Sequence, residues 1–256
     1  SVGRRAEANA FLEAALPLRR GLSGFADPLS RRLVNELADS YLSDRRGAEG
    51  LALLMEASNN NPADTETTLK LAALQLWFGM EAAHADTCRR MLEWAADEQD
   101  PAHAERVVTL TFLRPVVDEA TRIAALALAR RAARLGQTHP DLPWIQLALG
   151  MAEFRCGNYL AADLALAAAV DASKSGEPAE CLRVGGTAGY YRAMSLRLQG
   201  RQAEAHQLFR QTAVAMKPSP EDAHSPLANG ARYEDIILWL AWKEASPHFP
   251  EGSRAR

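Results

Sequence analysis

Few residues of this sequence have types and spacing that could carry chemistry, and the first pair is His84 and Cys88. They stand four positions apart, which would place an imidazole and a thiol side by side on one helix, as two metal ligands often are. No neighbouring His or Cys completes a ligand set. Packing inside a helix pair is therefore the better interpretation, and we expect no metal site.

A second candidate is the segment Gly185-Gly-Thr-Ala-Gly189, which is as glycine-rich as a phosphate-binding loop. It has no preceding strand and no following Lys-Ser/Thr, so small residues that allow close helix contact explain it better. His103 and the His139-Pro-Asp141 turn are attributed to capping and turn chemistry. No Ser–His–Asp or Cys–His set can be singled out, so we expect no catalytic residues, no cofactor and no enzyme.

Paired arginines recur in the N-terminal part of the chain. The pairs are Arg4-Arg5, Arg19-Arg20, Arg31-Arg32 and Arg45-Arg46. One interpretation is that they are solvated side chains near helix ends, and the other is contact with an acidic partner, either a filament or an anionic membrane surface. The whole chain has a net charge of −3, so nucleic acid is not an expected partner.

The composition is that of a folded protein with 48% hydrophobic and 24% charged residues. The three cysteines lie far apart without a CxxC pair, which fits a reducing compartment. Neither a signal-peptide segment nor an apolar stretch of the ~18 residues that a membrane span requires is visible. These features predict a cytoplasmic protein.

The elements that position these residues are predicted to be helices throughout. Alanine- and leucine-rich segments with a 3.6-residue period alternate with short breaks, and Asp27-Pro28 and Asp100-Pro101 are typical helix starts. The predicted helices cover 5–20, 28–43, 47–59, 64–78, 81–97, 101–113, 117–135, 142–156, 158–173, 178–199, 202–216 and 232–246.

The helices form pairs that repeat a spacing of small, turn and large apolar residues. In the clearest copy Gly150 is followed by the turn glycine Gly157, then by Ala162 and Leu166; Ala193, Gly200, Ala205 and Phe209 repeat it. This is the tetratricopeptide pattern of about 34 residues, stretched to ~43 between the later copies. The sequence therefore predicts an all-α, right-handed tetratricopeptide-like solenoid over residues 1–246, with five to six helix pairs.

The last predicted helix carries the apolar stripe Tyr233, Ile236, Ile237, Leu240 and Ala241, with Leu238, Trp239 and Trp242 on a second side. A helix that caps the end of the array is one interpretation, and two tryptophans that anchor a partner are the other. Residues 247–256 are expected to be a short flexible tail.

Several stretches resemble the repeat region attached to many bacterial serine/threonine protein kinases. They include Leu71-Ala-Ala-Leu-Gln-Leu-Trp-Phe-Gly79, Leu142-Pro-Trp-Ile-Gln-Leu-Ala-Leu-Gly-Met-Ala-Glu153 and Ile236-Ile-Leu-Trp-Leu240. Ala15-Leu-Pro-Leu-Arg-Arg20 is similar to an element of kinesin-light-chain tetratricopeptide repeats, and an array that combines these features resembles bacterial kinesin light chains. That resemblance implies a cytoskeleton-associated protein that binds a bacterial tubulin filament; the alternative is a signalling adaptor or sensor module of a serine/threonine kinase pathway.

The protein-binding site is predicted in the groove formed by the first helix of each pair, together with the basic N-terminal face. The groove residues include charged, amide and aromatic side chains suited to a peptide or a protein loop. The predicted site residues are Arg19, Arg20, Arg31, Arg32, Asn35, Asp39, Glu66, Trp144, Met151, Arg155, Tyr190 and Arg197.

Overall fold

The computed structural model describes residues 2–116 and 118–250, and within these ranges every regular element is a helix, as predicted. The observed bounds lie within three residues of the predicted ones. The α-helices are α1 (Val2–Ser23), α2 (Pro28–Ser43), α3 (Gly47–Asn60), α4 (Thr65–Trp77), α5 (Glu81–Trp94), α6 (Pro101–Phe112), α7 (Glu119–Leu135), α8 (Leu142–Arg155), α9 (Tyr159–Ser173), α10 (Pro178–Leu198), α11 (Gln202–Ala215) and α12 (Tyr233–Ala245).

The predicted Asp-Pro helix starts are confirmed by capping hydrogen bonds. The Asp27 carboxylate accepts from the backbone N–H of Ser30 at 2.9 Å, and the Asp100 carboxylate accepts from that of Ala102 at 2.8 Å. Each bond satisfies a donor that the first turn of a helix leaves unpaired, so these helices begin where the sequence places them.

The chain divides into two compact units. Unit 1 comprises Ser1–Glu81 and Ser219–Tyr233, and in it α1 packs on α2, α2 on α3, and α3 on α4. Unit 2 comprises Ala82–Pro218 and Glu234–Arg256; from α6 to α11 each helix packs on the next, and α8 also contacts α6 and α10. This serial packing of consecutive helices is that of an all-α solenoid.

A left-handed backbone residue closes four of the helix pairs at the same place. Two residues beyond the ends of α2, α4, α8 and α10 lie Arg45 (φ 64°), Gly79 (φ 72°), Gly157 (φ 80°) and Gly200 (φ 81°). Glycine adopts this conformation without steric cost, whereas Arg45 adopts it as a side-chain-bearing residue. The turn geometry of the repeat is therefore kept even where its glycine is missing.

In three of these pairs, α2–α3, α8–α9 and α10–α11, the second helix carries a small residue five positions after the turn residue and a large apolar residue nine positions after it, and it packs on the first helix. The first helix also needs a small residue: a Cβ atom at Gly150 of α8 would collide with the side chain of Leu166 on α9. Leu54, Leu166 and Phe209 fill the corresponding large positions and are fully buried. The predicted repeat register is thus the packing register of the helix pairs.

Helix α12 is buried on two sides, which supports the capping interpretation. Ile236 and Ile237 are buried as predicted, and Trp239 is also buried, with its indole N–H donating to the backbone oxygen of Lys217 at 2.9 Å. Trp239 therefore belongs to the core of unit 2. The interpretation that both tryptophans anchor a partner is wrong for Trp239.

Phe249 lies in the segment predicted to be a tail, yet its side chain is fully buried. Its ring stacks on Phe209 with centroids 4.6 Å apart and meets His206 edge-on. Residues 251–256 of the predicted tail lie outside the described residues. None of the helices in the described ranges combines the length and the apolar character that crossing a membrane requires.

Candidate protein-interaction surfaces

Asn35 and Asp39, two of the predicted groove residues, meet in one polar network between α2 and α4. The network is centred on Lys70, whose ammonium group is ion-paired with Asp39 and donates to the side-chain oxygen of Asn35 at 3.2 Å. The Asn35 amide donates to the Thr67 hydroxyl at 2.8 Å, and that hydroxyl donates to Asp64 at 2.7 Å. The first helices of two successive pairs are therefore joined by polar side chains, which leaves Asn35 little capacity for a partner.

Arg31, Arg32 and Glu66 remain exposed near the same helices. Arg32 forms an ion pair with Glu36 one turn along α2, at 2.7 Å, and its side chain is 76% exposed. Exposed pairs of this kind contribute little to stability, so these charges are accessible to a partner at small cost.

Arg19, one of the two arginines at the end of α1, has a structural role. Arg19 is half-buried, and its Nε lies 3.4 Å from the carboxylate of Asp27, which caps α2. This contact links the last turn of α1 to the first turn of α2. The side chain of Arg20 lies outside the described residues.

In unit 2 the side chain of the predicted groove residue Arg155 is buried. Its guanidinium group forms a bidentate ion pair with Glu244 of α12, donates to the Tyr191 hydroxyl at 2.9 Å and donates to the backbone oxygen of Phe112 at 3.2 Å. Burial raises the pKa of Tyr191, which stays a neutral donor to the Phe112 oxygen, also at 3.2 Å. Arg155 thus joins α8 to the end of α6, to α10 and to α12, and it is not available to a partner.

Trp144 and Arg197 are both half-buried, on α8 and α10. The Trp144 indole N–H donates to a carboxylate oxygen of Glu180 at 2.6 Å, so the start of α8 is connected to the start of α10. Arg197, in the last turn of α10, keeps part of its surface accessible. These two are the only predicted groove residues of unit 2 that the described structure leaves partly open.

Met151 and Tyr190 are fully buried, and their predicted place on the groove surface is wrong. Helix α8 is contacted by α6, α7, α9 and α10, so most of its circumference is covered and only a narrow stripe is accessible. The Tyr190 ring packs on Phe209, and its hydroxyl donates to the sulfur of Met216 at 3.3 Å. Both residues belong to the core.

The first helix pair of unit 1 exposes large apolar side chains that the sequence pattern did not predict. Phe11 and Leu18 on α1 are each 71% exposed, and Leu29 at the start of α2 is 54% exposed. Phe11 and Leu18 are seven residues apart, so they lie on one face of α1. One feature of the sequence could have indicated this exposure: the apolar residues of α1 occupy more than one face of the helix. We call Phe11, Leu18, Leu29, Arg31 and Arg32 the α1–α2 surface.

The residues that first suggested metal or phosphate chemistry are helix-packing residues. His84 and Cys88 are buried at the positions five and nine residues after Gly79, and His84 Nε2 lies 2.9 Å from the backbone oxygen of Leu110 in α6. Burial raises the pKa of Cys88 to about 12, so the thiol keeps its proton. No cluster of three or more acidic, histidine or cysteine side chains able to hold a metal ion occurs in the described part of the chain.

The segment Gly185–Gly189 lies inside α10 and is not a loop. A Cβ atom at Gly186 would meet Leu238 of α12 at 2.7 Å, and one at Gly189 would collide with Thr212 of α11. These glycines therefore let two helices approach α10 closely, as the packing interpretation predicted.

No protein-family model matches this sequence. A search of curated proteins likewise found no relative.

Proposed function

We propose that this protein is a non-catalytic scaffold for protein–protein interaction. The observation that carries the proposal is the α1–α2 surface, where three large apolar side chains are exposed on the same helix pair as two exposed arginines. Apolar side chains together with arginine are typical of protein interfaces, and a partner that covers exposed apolar side chains removes them from water. The serial packing of helices supplies a rigid support for such a surface.

The partner we propose is a bacterial tubulin-like filament, as for kinesin-light-chain-type repeat proteins. Support comes from the resemblance of Ala15-Leu-Pro-Leu-Arg-Arg20, which lies on α1 and contains the exposed Leu18. Arg31 and Arg32 would meet acidic subunit surfaces, so binding should weaken as salt screens charges beyond ~8–10 Å. In this proposal the protein is cytoskeleton-associated and the arginines contact the filament rather than a membrane.

The test is co-pelleting with polymerised bacterial tubulin over a salt series. Two variants alter the α1–α2 surface, Leu18→Asp and the double variant Arg31→Glu/Arg32→Glu. Two controls lie in unit 2: Leu164→Asp replaces a leucine that is 73% exposed, and Arg89→Glu reverses a single arginine whose side chain is 66% exposed. We expect each surface variant to weaken binding about 10-fold or more, with the controls unchanged.

Absence of co-pelleting at low salt would exclude the filament. Equal losses in surface variants and controls would exclude the α1–α2 surface. Binding that is insensitive to salt would keep the filament and remove the arginines from the contact.

The alternative partner is a component of a serine/threonine kinase pathway, for which this chain would be an adaptor or sensor module. It is supported by the resemblance of Leu71–Gly79 and Leu142–Glu153 to kinase-attached repeats. The same four variants distinguish the two partners. If the partner belongs to a kinase pathway, neither the wild type nor any variant pellets with tubulin, and Leu18→Asp loses the kinase-pathway partner that the wild type binds through the α1–α2 surface.

A further inference from the structure

We propose that unit 1 contains a binding pocket for a small, neutral, apolar molecule that carries a hydroxyl or amide group, and that the Gln75 side-chain amide is its polar anchor. The pocket has a volume of about 420 Å³, within the range of small-molecule sites. It lies between α3, the C-terminal end of α4 and the segment around His224. Its lining residues are Arg45, Gly47, Ala48, Leu51, Ala52, Met55, Leu71, Gln75, Phe78, Met80 and His224.

The pocket has an apolar floor and an accessible rim. Leu51 and Leu71 form buried parts of the wall, whereas Met55 and Met80 are 46% and 42% exposed. Methionine side chains are flexible and polarizable, so they adapt to apolar ligands of different shape. The two exposed methionines favour an apolar occupant that would cover them.

Gly47 and Phe78 shape one side of the pocket. A Cβ atom at Gly47 would lie 3.0 Å from the Phe78 ring, closer than side chains normally approach. The missing side chain therefore lets the ring pack directly on the first turn of α3. An aromatic ring in the wall supports binding of flat apolar molecules.

Gln75 is the polar group in this apolar wall. The residue is only 2% exposed, and no described residue donates a hydrogen bond to its buried side-chain oxygen. A buried amide oxygen without a donor is costly, so a ligand that supplies a donor to Gln75 Oε1 is favoured over one that does not. Since rotation of the amide exchanges its oxygen and nitrogen, a ligand group that both donates and accepts, such as a hydroxyl or an amide, suits either orientation.

The charges at the rim favour a neutral ligand. Arg45 is paired with Asp222 at 2.5 Å, so its charge is already offset within unit 1. The lining contains no carboxylate that would attract a cationic ligand. An apolar molecule with one polar neutral group is the chemistry that remains.

The test uses 4-methylphenol as the probe and toluene as its matched partner without the hydroxyl. The chain has six methionines, of which Met55 and Met80 line the pocket while Met91, Met151, Met194 and Met216 are buried in unit 2. In a spectrum of 13C-methyl-methionine protein, 4-methylphenol should shift two methyl signals saturably and leave the other four in place. Met55→Leu and Met80→Leu assign the two signals.

Gln75→Met tests the anchor, because methionine keeps the length of the side chain and removes the amide. The wild-type protein should prefer 4-methylphenol over toluene about 5-fold more strongly than Gln75→Met does, the size expected of one hydrogen bond. An unchanged preference would overturn the role of Gln75.

A filling variant tests the pocket itself. Ala52→Trp places a large side chain in the pocket from an exposed position, and Ala168→Trp makes the same change at an exposed position of α9. Only Ala52→Trp should abolish the two shifts. Absence of saturable shifts in the wild type, or shifts spread over the buried methionines, would overturn the pocket; neither outcome depends on whether the protein binds filaments.

Discussion

Lys70 in unit 1 and Arg155 in unit 2 are two buried cations on first helices of the repeat, and the molecule compensates them differently. The Lys70 ammonium pairs with Asp39, whose side chain is 51% exposed. The Arg155 guanidinium is 4% exposed, and its partner Glu244 is only 24% exposed. Both cations are held by neighbouring helices, but only the Lys70 network keeps its acid at the surface.

The exposure of the acid determines how sensitive each network is to substitution. A buried ion pair is strongly destabilising to break, because the remaining charge is left without a partner in a poorly hydrated site. Water can replace part of the interaction at Asp39 but not at Arg155. We therefore expect substitutions in the Arg155–Glu244 network to lower the stability more than substitutions in the Lys70–Asp39 network.

Truncation before Tyr233 should have the largest effect. It removes α12 with the buried Ile236, Ile237 and Trp239, and it also removes Glu244 from Arg155. We expect aggregation, because the apolar surface of unit 2 that α12 covers becomes exposed. Size-exclusion chromatography and thermal melting measure it.

The control is removal of residues 251–256, which should leave the melting temperature unchanged. A protein truncated before Tyr233 that stays monomeric with an unaltered melting temperature would show that α12 is free to bind a partner.

Glu244→Leu should destabilise the protein more than a substitution at Lys70 does. It leaves the buried Arg155 guanidinium without its carboxylate, and we expect a loss of about 3 kcal/mol in the free energy of unfolding. The double variant Arg155→Met/Glu244→Leu removes both charges and should recover to within about 1 kcal/mol of the wild type. Urea denaturation measures all three proteins, and a double variant no more stable than the single one would contradict the charge-pairing explanation.

Glu105 in α6 is a third acid for this comparison. It is buried like Arg155, and it accepts its hydrogen bond from a hydroxyl group instead of a cation. The Thr109 hydroxyl donates to it at 2.8 Å, and burial raises its pKa from the ordinary value of 4.5 to about 7. The folded state thus holds the proton more tightly than the unfolded state. Its contribution to stability is complete below about pH 4.5 and is lost as the pH rises to about 7.

Glu105→Gln removes this titration. At pH 8 we expect the variant to be more stable than the wild type by about 3 kcal/mol, and this difference should become small towards pH 4.5. Urea denaturation of both proteins between pH 4.5 and pH 8 measures the difference in the free energy of unfolding. The titration of all other groups is common to both proteins and cancels in this difference. A difference that does not change with pH would exclude a raised pKa at Glu105.

Lys70→Met should have the smallest effect, about 1 kcal/mol. The substitution removes hydrogen bonds to Asn35 but leaves Asp39 in contact with water. Urea denaturation beside Glu244→Leu compares the two networks directly. If Lys70→Met loses as much free energy of unfolding as Glu244→Leu, the exposure of the acid does not explain the difference between the two networks.

The helices and the repeat register could be predicted from the sequence because they depend on local rules. The Asp27 cap and the positions of Gly79, Gly157 and Gly200 are set by capping and turn chemistry that involve only a few neighbouring residues. Even the turn at Arg45 is predictable, since the spacing of the surrounding copies identifies the position.

The candidate site was predicted less well, because exposure depends on which neighbours cover a helix. Met151 and Arg155 lie on the same helix and were predicted on one surface, yet the first is in the core and the second is buried by Glu244, 89 positions away. Phe11 and Leu18 were not singled out, because an apolar residue in a helix is most often buried. Sequence periodicity does not report the number of helices that surround a given one.

The helical content, the pairing and the turns could be predicted from the sequence, since these follow from backbone preferences and from spacing along a few turns of chain. The tertiary structure shows which polar residues are engaged in networks such as Lys70–Asp39 and Arg155–Glu244, and which apolar residues stay exposed. It alone showed the pocket at Gln75, formed by α3, α4 and the segment around His224. The physical reason is that burial is set by contacts between residues far apart in the chain, and the free energy of a charge or an apolar side chain depends on that burial.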